Sequence, residues 1–253
     1  MKSEQIMLTK NEVMELLRKD LPQLKELKKT YALLPKTRCN RRARCCSMLP
    51  ETSFLESLLA LEQLMNMKPE KRVYISKKIS RYFFLNPVEI TSCPFLDKNN
   101  CLIYDNRFFG CRAYGLWSQG YYRQISERSR DVKNQIRKIW GRMGVSLPQE
   151  VMEFQVPYCT YVKTDDSAPV DDNWILQVEN NMKNLSQQFP EEHHLFGQMY
   201  FSDLSFLFVS FIFGVNEAVS LKFSIVNDIV NTGNRVVLDD KIGGISDIFG
   251  KKK

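Results

Sequence analysis

Residues 86–120 show neither helical nor strand periodicity and are dominated by Pro, Asn, Asp, Gly and Cys, between segments that do have helical spacing. A stretch of about 30 residues without regular structure is uncommon inside a compact domain, so something other than a hydrophobic core has to hold it. It contains Cys93, Cys101 and Cys111, and a second short segment, TRCNRRARCC, holds Cys39, Cys45 and Cys46. Six thiols in two loops identify a bound metal as the expected constraint, because thiolates ligate zinc and iron–sulfur centres.

The compartment bears on that reading. The N-terminal MKSEQIMLTKNEVMELL is acidic early and lacks a continuous apolar stretch ending in small residues, so no signal peptide is read and a cytoplasmic location is expected. There the seven cysteines stay reduced, and their odd number also argues against a disulfide framework. With 43% hydrophobic and 26% charged residues over 253 positions, the chain can bury a sizeable core. One domain is expected, with a cysteine-cluster core at about 36–160 and a helical part at about 170–250. The longest apolar run, LSFLFVSFIFGV at 204–215, is shorter than the ~20 residues a bilayer needs and reads as a buried helix or strand.

Between successive cysteines lie five residues, none, forty-six, seven, nine and forty-seven, the last interval reaching Cys159 in PYCTY. No pair has the C-x2-C spacing of zinc knuckles, and neither the C-x3-C-x2-C motif of radical enzymes nor a ferredoxin run is present. Arg38, Arg44 and Arg112 adjoin cysteines, and Arg41, Arg42 and Arg107 are close by. Such cations lower thiol pKa and stabilise a centre of net negative charge. Buried hydrophobic cysteine is the competing reading, and for Cys159 alone it weighs as much as ligation.

Helices are expected over residues 10–30, with a kink or break near residue 21 at Pro22, from about Glu51 through Met65, and from Pro69 to Phe84. Further ones are expected from Ile125 to about Gly141 or Gly144, over 172–189 with Asp172 as cap, and as two helices in 204–231. The fold class is therefore mainly α, a helical domain with long cysteine-rich loops organised around a metal centre.

The segments CNRRARCC (39–46) and CPFLDKNNCLIYDNRFFGCRAY (93–114) resemble the YkgJ-like zinc- or iron-chelating cysteine-cluster family, related to the flagellin lysine N-methylases. Cys93, Pro94, Phe95, Leu96, Cys101, Ile103, Tyr104, Arg107, Cys111, Arg112 and Tyr114 follow its order. The chain has Arg42 where the family usually has a further cysteine, and Arg107-Phe108 where it usually has Arg-Pro. The resemblance spans about residues 36–116. It implies a metal centre, iron–sulfur and of the 4Fe–4S type, or alternatively zinc, on a helical scaffold. The expected metal ligands are Cys39, Cys45, Cys46, Cys93, Cys101, Cys111 and Cys159, with Arg38, Arg107 and Arg112 around the cofactor. The resemblance does not fix an activity. The expectation drawn from the cysteines is an iron–sulfur protein acting in redox or in modification of a small molecule or protein, as a transferase or redox enzyme if it is an enzyme; a structural zinc scaffold or nucleic-acid binder is the alternative.

Other groups carry less. His193 and His194 after Glu191 and Glu192 read as a solvated helix start, since neighbours on a helix diverge by about 100°. The basic series Arg123, Arg128, Arg130, Lys133, Arg137, Lys138 and Arg142 lies around one helix, interrupted by Glu127 and Asp131, and reads as a solvated or internally paired face. Asp165, Asp166, Asp171 and Asp172 fit no calcium loop, and no glycine-rich phosphate loop is present. Nucleic acid is therefore disfavoured as a partner, and no membrane contact is expected.

Overall fold

The computed structural model describes residues 7–38, 42–164 and 170–250. The chain is mainly helical, with twelve α-helices among the described residues. Residues 10–30 form two helices: α1 (Lys10–Arg18), started by a Thr9–Glu12 capping box, and α2 (Pro22–Tyr31). Pro22 takes the first turn of α2, where its missing N–H costs nothing, and Asp20 makes the break at φ 46°. Helix α3 (Phe54–Met65) starts three residues later than Glu51, because Ser53 and Glu56 form the capping box that sets its first turn. Helix α4 (Pro69–Leu85) again opens on proline.

The stretch 86–120, read as a loop, has short structure of its own. Strands β2 (Leu96–Asp97) and β3 (Asn100–Cys101) form a hairpin whose turn residues, Lys98 and Asn99, both have positive φ, as a two-residue turn with the twist of the strands requires. Helix α5 (Phe109–Ala113) follows. These elements are too short for a hydrophobic period to register. Strand β1 (Thr37–Arg38) pairs antiparallel with β4 (Lys163–Thr164), tying the first cysteine segment to the 155–164 segment.

Helix α6 (Gln119–Arg142) is the longest, and short α7 (Gln149–Glu153) packs on it. Helix α8 (Asp172–Ser186) is capped by Asp171, not Asp172. The Asp172 carboxylate instead accepts from Ser118 N–H at 2.8 Å and Ser118 Oγ at 2.5 Å, at the start of α6. Adjacent aspartates offer the same cap chemistry, and only the position of α6 decides between them. Asp165 and Asp166 lie outside the described residues.

The remaining helices are α9 (Pro190–Tyr200), α10 (Leu204–Phe213), α11 (Val215–Thr232) and α12 (Val236–Gly243). Glu191, Glu192, His193 and His194 occupy the first half of α9, where the two carboxylates suit the positive end of the helix dipole. The run 204–215 folds as α10, apolar all round and buried from Leu204 to Ser210, against α4, α9 and α11. No single helix among the described residues is long and apolar enough to cross a membrane. One contiguous apolar cluster extends from Leu8 to Ile245, so the cysteine-bearing and C-terminal parts share a core.

Candidate functional site

Five thiols on four short segments share one electrostatic neighbourhood. Cys45 and Cys46 sit on a 3-10 turn (Arg44–Cys46) entered through Ala43 at φ 54°, and their sulfurs are 3.9 Å apart. Cys93 is tied to that turn by its N–H, which donates to the Cys46 carbonyl at 2.8 Å. Cys101 is on β3 and Cys111 on α5. Charge on Cys93 acts on Cys46 and Cys111, charge on Cys101 acts on Cys93 and Cys111, and charge on Cys45 acts on all four others.

Their acidities are pushed apart. The Cys45 thiol is lowered to about 7, chiefly because the neighbouring Cys46 thiol donates to it, with help from Arg107 against burial. The same hydrogen bond, with burial, pushes Cys46 up. Burial raises Cys93 to about 12 and raises Cys101 and Cys111. Without metal, the group therefore holds its first negative charge easily and resists every further one, as like charges in a poorly solvated place must. A cation placed among these sulfurs would reverse that resistance, since coordination deprotonates a thiol.

Alkylation of the metal-free protein is expected to reflect this order. Cys45 should be the first of these thiols to react with iodoacetamide, its rate climbing as pH rises through about 7. Mass-spectrometric mapping of labelled peptides over a pH series measures it, and preferential labelling of Cys101 or Cys111 at neutral pH would refute the assignment.

Two arginines border the thiols. Arg107 donates to Thr37 Oγ1 at 3.0 Å and lies 4.6 Å over the Tyr104 ring, while its Nε is buried with no partner. It lowers Cys45, Cys101 and Cys111. Arg112 donates to the Arg107 carbonyl at 2.9 Å and to the Asp105 carbonyl, and its guanidinium covers the Tyr31 ring at 4.3 Å. It thereby holds the turn that carries Arg107. Arg38 is exposed on β1, paired with Lys163 of β4.

Glu56 supports the site from the core. Its carboxylate is buried; Oε1 accepts from Tyr31 OH at 2.9 Å and from Phe109 N–H at 2.6 Å, and Oε2 accepts from Ser53 N–H at 2.9 Å. One side chain thus serves the N-termini of both α3 and α5. In the sequence, S-x-x-E at 53–56 is a capping-box signature that marks Glu56 as a helix start only. Its bond to Phe109 spans 53 positions and had no local signal.

The 155–164 segment closes the site on one side. Tyr114 OH donates to the Pro157 carbonyl at 2.5 Å, Tyr122 OH to the Val156 carbonyl at 2.7 Å, and Tyr158 OH to the Trp117 carbonyl at 3.1 Å. Arg42 lies 4.0 Å and Arg44 5.4 Å over the Tyr161 ring. Gly115, at φ +83°, makes this approach possible, because a Cβ there would stand 2.6 Å from Val162 Cγ2. Cys159 is buried and lines a small cavity of about 30 Å³ with Cys45, Cys111 and Arg107.

Cys39 and Arg41 lie outside the described residues. Among the described residues, no group of three or more His, Cys, Asp or Glu side chains is arranged to hold a metal ion. No family model matches the chain, and no curated protein or solved structure matches it.

Proposed function

We propose that this is a cysteine-ligated iron–sulfur protein, with a 4Fe–4S centre, acting in redox chemistry or in modification of a small molecule or protein. The observation that carries the reading is that Cys45, Cys46, Cys93, Cys101 and Cys111, on four segments, lie near enough to act on one another's charge, as Arg107 and Arg112 act on theirs. The donor chemistry fits such a group: sulfur ligands, positive neighbours and a largely buried site. Resemblance of residues 93–114 to the YkgJ-like family supports the same reading.

Four of these thiols suffice for one cluster, leaving a fifth, together with Cys159 beside the cavity, as candidates for ligand exchange or nucleophilic work. Arg107 offsets thiolate charge, and its buried Nε is a donor available to a sulfur or to an anionic substrate. Tyr114, Tyr122 and Tyr158 hold the 155–164 segment, whose Cys159 shares the small cavity with Cys45 and Cys111. When bound, the cluster supplies one-electron chemistry at a potential set by these neighbours.

Metal analysis on protein purified without oxygen tests the proposal. About four irons and about four acid-labile sulfides per chain, with broad visible absorption, are expected. One zinc without sulfide would replace it with a structural or Lewis-acidic site. Absence of stoichiometric metal after anaerobic reconstitution would end it.

A further inference from the structure

Helix α6 has a feature that the cysteine site does not use. None of its 24 residues is buried, although its sequence is strongly amphipathic. Ile125, Ser129, Val132, Ile136, Ile139 and, at the cap, Met143 follow each other at alternating steps of four and three, the spacing of a coiled-coil seam. Near its start the helix rests on the protein, where Trp117 stacks on Tyr121 at 4.5 Å. Over its second half the seam is open: Val132 is 49%, Ile136 36%, Ile139 53% and Met143 47% exposed. The patch continues onto α11, because Trp140 stacks on Phe223 at 5.9 Å, and Phe223 and Val219 are 37% and 52% exposed. Apolar side chains contiguous in this way mark a binding surface.

The charge around the seam selects the occupant. Helix α6 carries seven basic residues against two acidic ones. Lys133 is engaged, donating to the Val151 and Phe154 carbonyls at 3.1 and 2.6 Å. Arg128 and Arg142, which flank the seam on its other side, make no ion pair among the described residues. A second copy of this chain is a poor occupant: antiparallel pairing sets Arg128 against Arg142, and parallel pairing sets Arg128 against Lys133. Nucleic acid would use the charges and leave the isoleucines in water.

We propose that the α6 seam, with Trp140 and Phe223 at its margin, is a docking surface for an acidic amphipathic helix of another protein. The partner lays apolar side chains at heptad spacing between Val132 and Met143 and presents carboxylates to Arg128 and Arg142. This is recognition by helix-on-helix packing, with charge deciding which helix is accepted.

A synthetic peptide of about four heptads, with Ile and Leu on its seam and Glu on both flanks, is the probe, titrated by fluorescence anisotropy against the full chain. A peptide with Lys on its flanks is the control. The acidic peptide is expected to bind and to weaken with added salt, and the Lys peptide not to bind. Ile136→Asp with Ile139→Asp should weaken binding at least about tenfold, with unchanged helical content because both positions are exposed. Arg128→Glu with Arg142→Glu should reverse the preference between the peptides. Failure of the acidic peptide to bind, or equal binding by the Ile double variant, overturns the proposal. So does loss through the same isoleucines of self-association, of binding to phosphatidylglycerol vesicles or of binding to duplex DNA, in place of peptide binding.

Discussion

Replacing Glu56 by alanine is expected to remove about 3–5 kcal/mol of folding stability, a large part of the roughly 5–15 kcal/mol that a native domain has. The substitution strands three donors: Tyr31 OH, Phe109 N–H and Ser53 N–H. The first two lie in the interior, where an unpaired donor costs about 1–3 kcal/mol each. Glu56→Gln keeps one acceptor oxygen but turns an amide N–H towards donors, so it should fall between wild type and alanine. Urea unfolding of the three proteins measures the order. The loss should also be directional, because Phe109 begins the helix that carries Cys111. Release of α5 is expected to make Cys111 alkylate more readily in the alanine variant before global unfolding. An alanine variant within about 1 kcal/mol of wild type would show that the carboxylate is not the joint between core and site.

Lys222 is expected to act in the opposite sense. Its amine lies 4.1 Å over the Phe83 ring, and burial lowers it from 10.5 to about 8, with Asp203 partly opposing. Between those two values the unfolded chain holds a proton that the folded chain has released, so stability rises with pH across that window. Below about 8 the cost of confining the ammonium is present in full. Lys222→Met keeps the chain length, removes the charge and gives up a cation–π contact of about 0.5–1 kcal/mol. The net expectation is a gain of about 2 kcal/mol at neutral pH. Denaturant midpoints from pH 7 to pH 10.5 for both proteins provide the check, and the gap between them should close as pH rises. A gap that stays constant or widens would mean that the amine keeps its ordinary acidity.

What could be read in the chain without coordinates follows from which signals are local. The capping box at Thr9–Glu12, the prolines at 22 and 69 and the apolar period of α3 act within one or two turns; α1, α2 and α4 formed where those residues place them, and α3 starts three residues late, at its Ser53 cap. The apolar run 204–215 announces burial, because a helix without a polar face has nowhere else to go. That six cysteines fall in two segments with arginines beside them is likewise visible in the chain, since it is a matter of residue type and spacing.

Tertiary structure decided the rest, through contacts whose partners are far apart in sequence. Packing placed Arg107 and Arg112 where their charge acts on the thiols, which nearness to cysteines in the chain does not by itself secure. It chose Asp171 over Asp172 as a cap because α6 begins where Asp172 can reach Ser118. It joined Glu56 to Phe109 and left the seam of α6 exposed over its second half. The physical reason is common to all of these: a capping bond or an apolar period is closed by residues a few positions apart, whereas a buried carboxylate, a thiol neighbourhood or an exposed seam is defined only by what the folded chain brings against it.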